Sequence, residues 1–161
     1  MSTAVAALVI VTAVGAGCTG GELFAFSSFV RPGLRRLPPA QGVAAMQSIN
    51  VTAVRPPFML AFGGTAVLSV AVVVVAVTAL DEPYAVWLLV AAALYLIGVL
   101  GLTMTYHVPR NNALATVTPT DQGAEAHWRR YASDWTRWNH VRVAAGVAAA
   151  AALTAALIAG S

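Results

Sequence analysis

Lysine is absent from the 161 residues, cysteine occurs once, and charged side chains make up only 9% of the chain against 59% hydrophobic. A typical soluble globular protein carries about 25% charged residues, so this composition excludes a soluble chain of ordinary type. The lone Cys18 cannot form an intramolecular disulfide, and the fold must be held by packing instead. All nine basic residues are Arg. The resulting net charge of +3 is too sparse and too scattered to indicate nucleic acid as a partner. Also missing are a Gly-x-Gly-x-x-Gly turn, a phosphate-binding loop, a Cys-x-x-Cys pair and a Gly-x-Ser-x-Gly elbow. Nucleotide-dependent hydride transfer, ATP hydrolysis and paired-thiol redox chemistry lose their main support with them.

What is present is long apolar runs. About 20 apolar residues in a helix cross the ~30 Å hydrocarbon layer, and residues 4–30, 58–80, 84–107 and 141–160 meet that length. The expected fold class is all-α, a bundle of four transmembrane helices forming a single membrane domain over residues 1–161. Helices are required because every backbone polar group in lipid needs an internal partner. Gly15-Ala16-Gly17-Cys18 faintly resembles a lipoprotein cleavage site, but no basic residue precedes it and the apolar run continues to Val30, which favours an uncleaved first span.

Charge sets the orientation. Arg31, Arg35, Arg36 and Arg55 crowd the connection after span one, and Arg110, Arg129, Arg130 and Arg137 the one after span three, whereas the Asp81-Glu82-Pro83 turn has no base. The positive-inside rule then puts both long connections in the cytoplasm and both termini on the outer side of the cell membrane. Within the first connection, Val43, Met46, Gln47 and Asn50 fall at helical spacing, indicating a short amphipathic helix over residues 40–54 that lies at or dips into the membrane interface. In the second, Thr120-Asp121 offers an N-cap for a helix running from Gln122 without a break into span four. Pro109 is expected to end span three.

Polar residues at membrane depth need reasons. Glu22 is the only acid within a span, where a charge at a helix centre costs roughly 2.5–3.5 kcal/mol. It is expected to be buried in the cytoplasmic half, on a face with Gly15, Cys18, Phe26 and Phe29, either bracing the bundle or taking a direct part in chemistry. Trp128, Tyr131, Trp135, Trp138 and Arg142 are spaced three, four, three and four, forming one stripe along the helix entering span four. An interfacial aromatic belt explains isolated Trp residues; a stripe about 21 Å long fits a packed surface or a pocket for a flat ligand. His107 and His140, with Asn50, Arg110, Asn112 and Asn139, arrive at the same end as Glu22. No His-x-x-x-His or Glu-x-x-His spacing marks a metal site, and the same groups offer a base near neutral pH and donors for an anionic oxygen. His127, beside Arg129 and Arg130, is expected in solvent.

Four of these stretches resemble one known family. Gly21 to Ser27 with Pro32 and Leu34, Met46 to Asn50, Val108 to Asn112, and the Trp128–Arg142 series with Asn139-His140-Val141 are similar, in that order, to the anthrone oxygenase-like family of small four-helix membrane proteins. The resemblance implies that a polyketide-derived anthrone, or a similar flat lipid-soluble phenol, is oxidised by molecular oxygen without metal or flavin. Under it, His140 or His107 takes the proton, and Arg110, Asn112, Asn139 and Arg142 stabilise the enolate oxygen. Trp135 and Trp138, with Tyr131 and Asn50 beside them, line the ring pocket, and Glu22 orients a His. The competing class is a non-enzymatic membrane protein: a structural or binding subunit, or a small carrier passing a proton between Glu22 and the His residues. Partners common to both are the lipid bilayer and an apolar aromatic molecule; small-residue faces at residues 98–101 and along span four suit internal packing and homo-oligomer formation equally.

Overall fold

A computed structural model describes all 161 residues, and every regular element in it is helical. Four helices are long and apolar enough to cross a membrane: α1 (Thr3–Leu34), α3 (Pro56–Thr78), α4 (Ala85–Ala115) and α5 (Ala124–Ala159). Between the first two lies α2 (Pro39–Ala53), which matches the amphipathic helix expected there. Each long helix packs on its sequence neighbours, and α1 closes the ring by packing most extensively on α5. The termini meet as a result, with the Met1 amino group donating to the Gly160 carbonyl at 2.8 Å. Large side chains such as Ile10, Phe29, Leu60, Val67, Ile97 and Ile158 point outward all round the bundle, as a protein solvated by lipid requires.

Small residues set the helix phases. A side chain at Gly146 would come within 3.2 Å of the Gly20 Cα, so α1 and α5 touch backbone to backbone here. Likewise Gly98 of α4 faces Ala145 so closely that an added Cβ would lie 2.6 Å from the Ala145 Cβ. The core between them is mostly Ala, Val and Leu, crossed by one polar tie that hydropathy alone did not reveal. Fully buried Tyr95 of α4 donates its hydroxyl to the Phe62 carbonyl of α3 at 2.9 Å and lies 3.1 Å from the Thr19 hydroxyl of α1.

Two prolines are absorbed rather than ending their helices. Pro109 sits inside α4, not at its end, and Pro32 sits inside the last turns of α1. In each case the residue just before the proline bonds five residues back, Val108 to Thr103 and Arg31 to Phe26, so widened turns over Thr103–His107 and Phe26–Val30 precede the ring. Such π-turns re-route the carbonyls that a proline cannot serve, and they rotate the residues beyond them to new faces. The start of α5 also departs from expectation: Thr120-Asp121 lies in a turn, Gly123 precedes the helix, and no side chain caps it. From there the helix does run unbroken for 36 residues, about 54 Å at 1.5 Å each, well beyond the hydrocarbon thickness.

Candidate functional site

The extra length of α5 carries the aromatic stripe into a second, smaller core at the end of the bundle away from the termini. Trp128, Tyr131 and Trp135 are buried there against Val43 and Met46 of α2 and Leu114 of α4. Helix α2 is thus docked on α5 rather than lying free at an interface. Gly42 makes this contact possible, because a Cβ there would meet the Trp128 ring at 2.8 Å. Gln47 fastens the other side by donating to the Leu114 and Val117 carbonyls, both at 2.9 Å.

Trp135 is the hub. Its indole N–H donates to Asn111 Oδ1 at 3.1 Å, and the same oxygen accepts from the Tyr131 hydroxyl at 2.7 Å. The His107 ring stands edge-on to it with centroids 5.0 Å apart, and Phe26 packs on it at 5.6 Å. Two guanidinium carbons also face the indole, Arg142 at 5.2 Å and Arg31 at 5.3 Å.

Around this ring several polar atoms are buried without a hydrogen-bond partner: both nitrogens of His107, Nε of Arg142, Nδ2 of Asn50, and all three side-chain nitrogens of Arg31. Buried donors are almost always satisfied in folded proteins. Their concentration at one place makes this the candidate site. The chain's one ion pair, Arg129 with Glu125, lies on the exposed surface of α5, so no carboxylate balances the two buried guanidinium groups. Arg142 is partly satisfied, donating to the Thr103 hydroxyl at 2.9 Å and to Asn139 Oδ1 at 2.5 Å. Asn139 is fully used, its amide donating to the Leu23 carbonyl at 2.8 Å and the Ser27 hydroxyl at 2.6 Å.

Several expected members lie elsewhere. Glu22 is exposed on the outer surface of α1 with no hydrogen bond. The close Gly20–Gly146 contact fixes the inward face as Ala16, Thr19, Gly20, Leu23 and Ser27, which turns Glu22 outward. His140 is exposed although its neighbour Asn139 is buried, since adjacent helical residues point about 100° apart. Asn112 is exposed and away from the cluster, and its neighbour Asn111 enters it instead, as an acceptor from Tyr131 and Trp135. Trp138 is 39% exposed and leaves the stripe to pack on Tyr106 at 5.0 Å. Arg110 stacks its guanidinium on the Tyr106 ring at 3.4 Å. His127, half-buried rather than fully solvated, joins Arg110, Arg130, Tyr131 and Asp134 around a surface cleft of about 330 Å³. A larger recess of about 590 Å³, at the start of α5 among Asp121, Glu125, Arg129 and Arg130, shares no residue with the buried cluster.

Arg31 and Asn111 are the members that sequence reasoning missed. Arg31 had a signal only in its charge, which served to orient the spans; Asn111 stood beside Asn112 with nothing but helix phase to separate them. No three His, Cys, Asp or Glu side chains are gathered anywhere in the fold.

In comparison with known families, the anthrone oxygenase family model matches residues 58–152, more than half the chain. That range holds His107, Asn111, Trp135, Asn139 and Arg142; Arg31 and Asn50 lie before it. Nothing matches among curated proteins or solved structures.

Proposed function

Because the chain belongs to the anthrone oxygenase family, we propose that it oxidises a flat, lipid-soluble phenolic compound with molecular oxygen at the Trp135 cluster, at the cytoplasmic end of the bundle. The observation that carries the reading is the pairing of His107, unpartnered at both nitrogens, with the free Nε of Arg142 on the same indole. One is a base without a proton donor or acceptor already engaged. The other is a donor without an acceptor.

For an anthrone-like substrate these two suffice. His107 removes a proton from the ring methylene while Arg142 receives the enolate oxygen, so positive and negative charge appear together. The electron-rich enolate passes one electron to oxygen, and the resulting carbon radical and superoxide combine into a C–O bond. Protonation by the imidazolium gives a hydroperoxide. Removal of the second methylene proton then breaks the O–O bond, leaving a ketone and water. Overall one CH2 and one O2 become one C=O and one H2O, with no other reductant or oxidant.

Access follows from the packing. Trp128, Tyr131 and Trp135 form a closed contact with α2, not an open wall, so the substrate enters from the other side of Tyr131, through the cleft between Arg110 and Ala113 of α4 and His127, Arg130 and Asp134 of α5. Trp135 then supplies one face of the ring site. Asn139 and Thr103 position Arg142 rather than contacting substrate.

A second reading, binding without chemistry, is favoured by that same closed packing. The two are separated by incubating the purified protein with an anthrone under chelator and following oxygen consumption and quinone absorbance together. One oxygen consumed per quinone formed supports the oxygenase; tight binding with no oxygen uptake above the spontaneous rate supports the binder.

A further inference from the structure

Arg31 has no exposed surface, and none of its three nitrogens reaches an acceptor. Its guanidinium carbon is boxed by three aromatic rings, Trp128 at 5.1 Å, Tyr131 at 5.3 Å and Trp135 at 5.3 Å. Ring faces offset part of the cost of burying the charge. They leave the in-plane N–H groups untouched, because a guanidinium donates from its edge. The fork that would hold a planar oxyanion is therefore intact and vacant of protein acceptors.

Asn50 points the same way. Its Nδ2 is buried, and its one neighbour for a hydrogen bond is the Tyr131 hydroxyl, which already donates to Asn111 and borders Arg31. The surrounding groups are Phe26 from α1, Asn50 and Met46 from α2, Leu114 and Asn111 from α4, and Trp128, Tyr131 and Trp135 from α5, none of them an acid, and the Asn111 oxygen is already taken by Tyr131 and Trp135. No acid of the chain pairs with Arg31.

We propose that Arg31 and Asn50 form an oxyanion-binding subsite, distinct from the His107–Arg142 pair, that recognises an acid group, carboxylate or ionised phenol, carried on a planar aromatic ring. This rests on the functional reading above only for the aromatic nature of the ligand; with Arg31 already 5.3 Å from Trp135, the ring lies off the edge of the guanidinium and not between it and the indole. The aromatic box explains the preference for a flat ligand. A free inorganic anion or a lipid phosphate would gain the fork but nothing from the indole and phenol faces.

The test is binding without turnover. Full-length protein in phosphatidylcholine nanodiscs is titrated with anthracene-2-carboxylate, and energy transfer from tryptophan to the anthracene is measured. The neutral primary amide of the same ring is the control. The carboxylate should bind at least about tenfold more tightly than the amide, the size expected for one charged hydrogen-bonded group. Arg31→Gln should reduce it to the amide's affinity, and Arg31→Lys, which keeps the charge but loses the fork, should fall between. Should Arg31→Gln fail to fold, Asn50→Asp serves instead: it supplies the missing acceptor, so carboxylate binding should be lost while thermal stability rises. Equal affinity for acid and amide, or binding unchanged in both variants, would overturn the subsite. So would competition by inorganic phosphate, or by phosphatidylglycerol added to the nanodiscs, at concentrations as low as those at which the aromatic acid binds. No oxygen is consumed in this measurement, so its failure and the failure of the oxygenase reading are told apart.

Discussion

Asn139 of α5 donates both to the Leu23 carbonyl and to the Ser27 hydroxyl of α1 while accepting from Arg142, and its side chain is completely buried. One amide thus ties two helices and fixes the guanidinium that faces Trp135. Replacing it with Ala leaves the Ser27 hydroxyl and one guanidinium nitrogen unpaired and takes one of two donors from the Leu23 carbonyl, which keeps the Phe26 N–H. Each buried group so orphaned costs about 1–3 kcal/mol. Asn139→Ala should therefore lower the unfolding temperature of the detergent-solubilised protein clearly, which tryptophan fluorescence during heating would show; an unchanged transition would mean that these bonds carry no weight.

Gly98 and Gly17 should respond in opposite ways. A Cβ on Gly98 meets the Ala145 Cβ at 2.6 Å, whereas one on Gly17 meets nothing within 4 Å. Overpacking of this kind costs about 1–3 kcal/mol, so Gly98→Ala should destabilise, Gly17→Ala should not, and Ala145→Gly should rescue the first. The rescue is the informative step, since it assigns the loss to that contact.

Glu22→Gln should leave oxygen uptake close to wild type and should not lower stability. The carboxylate touches no partner and lies outside the cluster, and the amide keeps its size on the lipid-facing surface without an ionisable group. A sharp loss of activity would return Glu22 to the site by a route the packing does not show.

Hydropathy and charge made the architecture legible: four spans, a short helix after the first, and a helix running unbroken into the fourth. These features depend on run length and periodicity, which a single chain displays. That the short helix docks on α5 was not legible. Helix phase at single positions was harder to read. The cost of a lipid-facing acid argues for an inward Glu22, yet backbone contact at Gly20 and Gly146 decides the rotation of α1. Asn111 rather than Asn112 reached Trp135 because widened turns before Pro109 change the register of α4. Arg31 owes its place to three rings about a hundred residues away in the chain, a contact that no local pattern announces. The aromatic stripe was visible in outline, and the structure divides it: Trp128, Tyr131 and Trp135 turn inward, Trp138 does not.

The most direct test compares His107→Ala with His140→Ala in the anthrone-dependent oxygen uptake assay, each checked for folding by its thermal transition. His107 is buried beside Trp135 with both nitrogens free, and His140 is exposed. Loss of a general base typically costs 10²- to 10⁴-fold, about two to four decades of rate. The account predicts a loss of that size in His107→Ala and a wild-type rate in His140→Ala; a folded His107→Ala protein that consumes oxygen at the wild-type rate would contradict it.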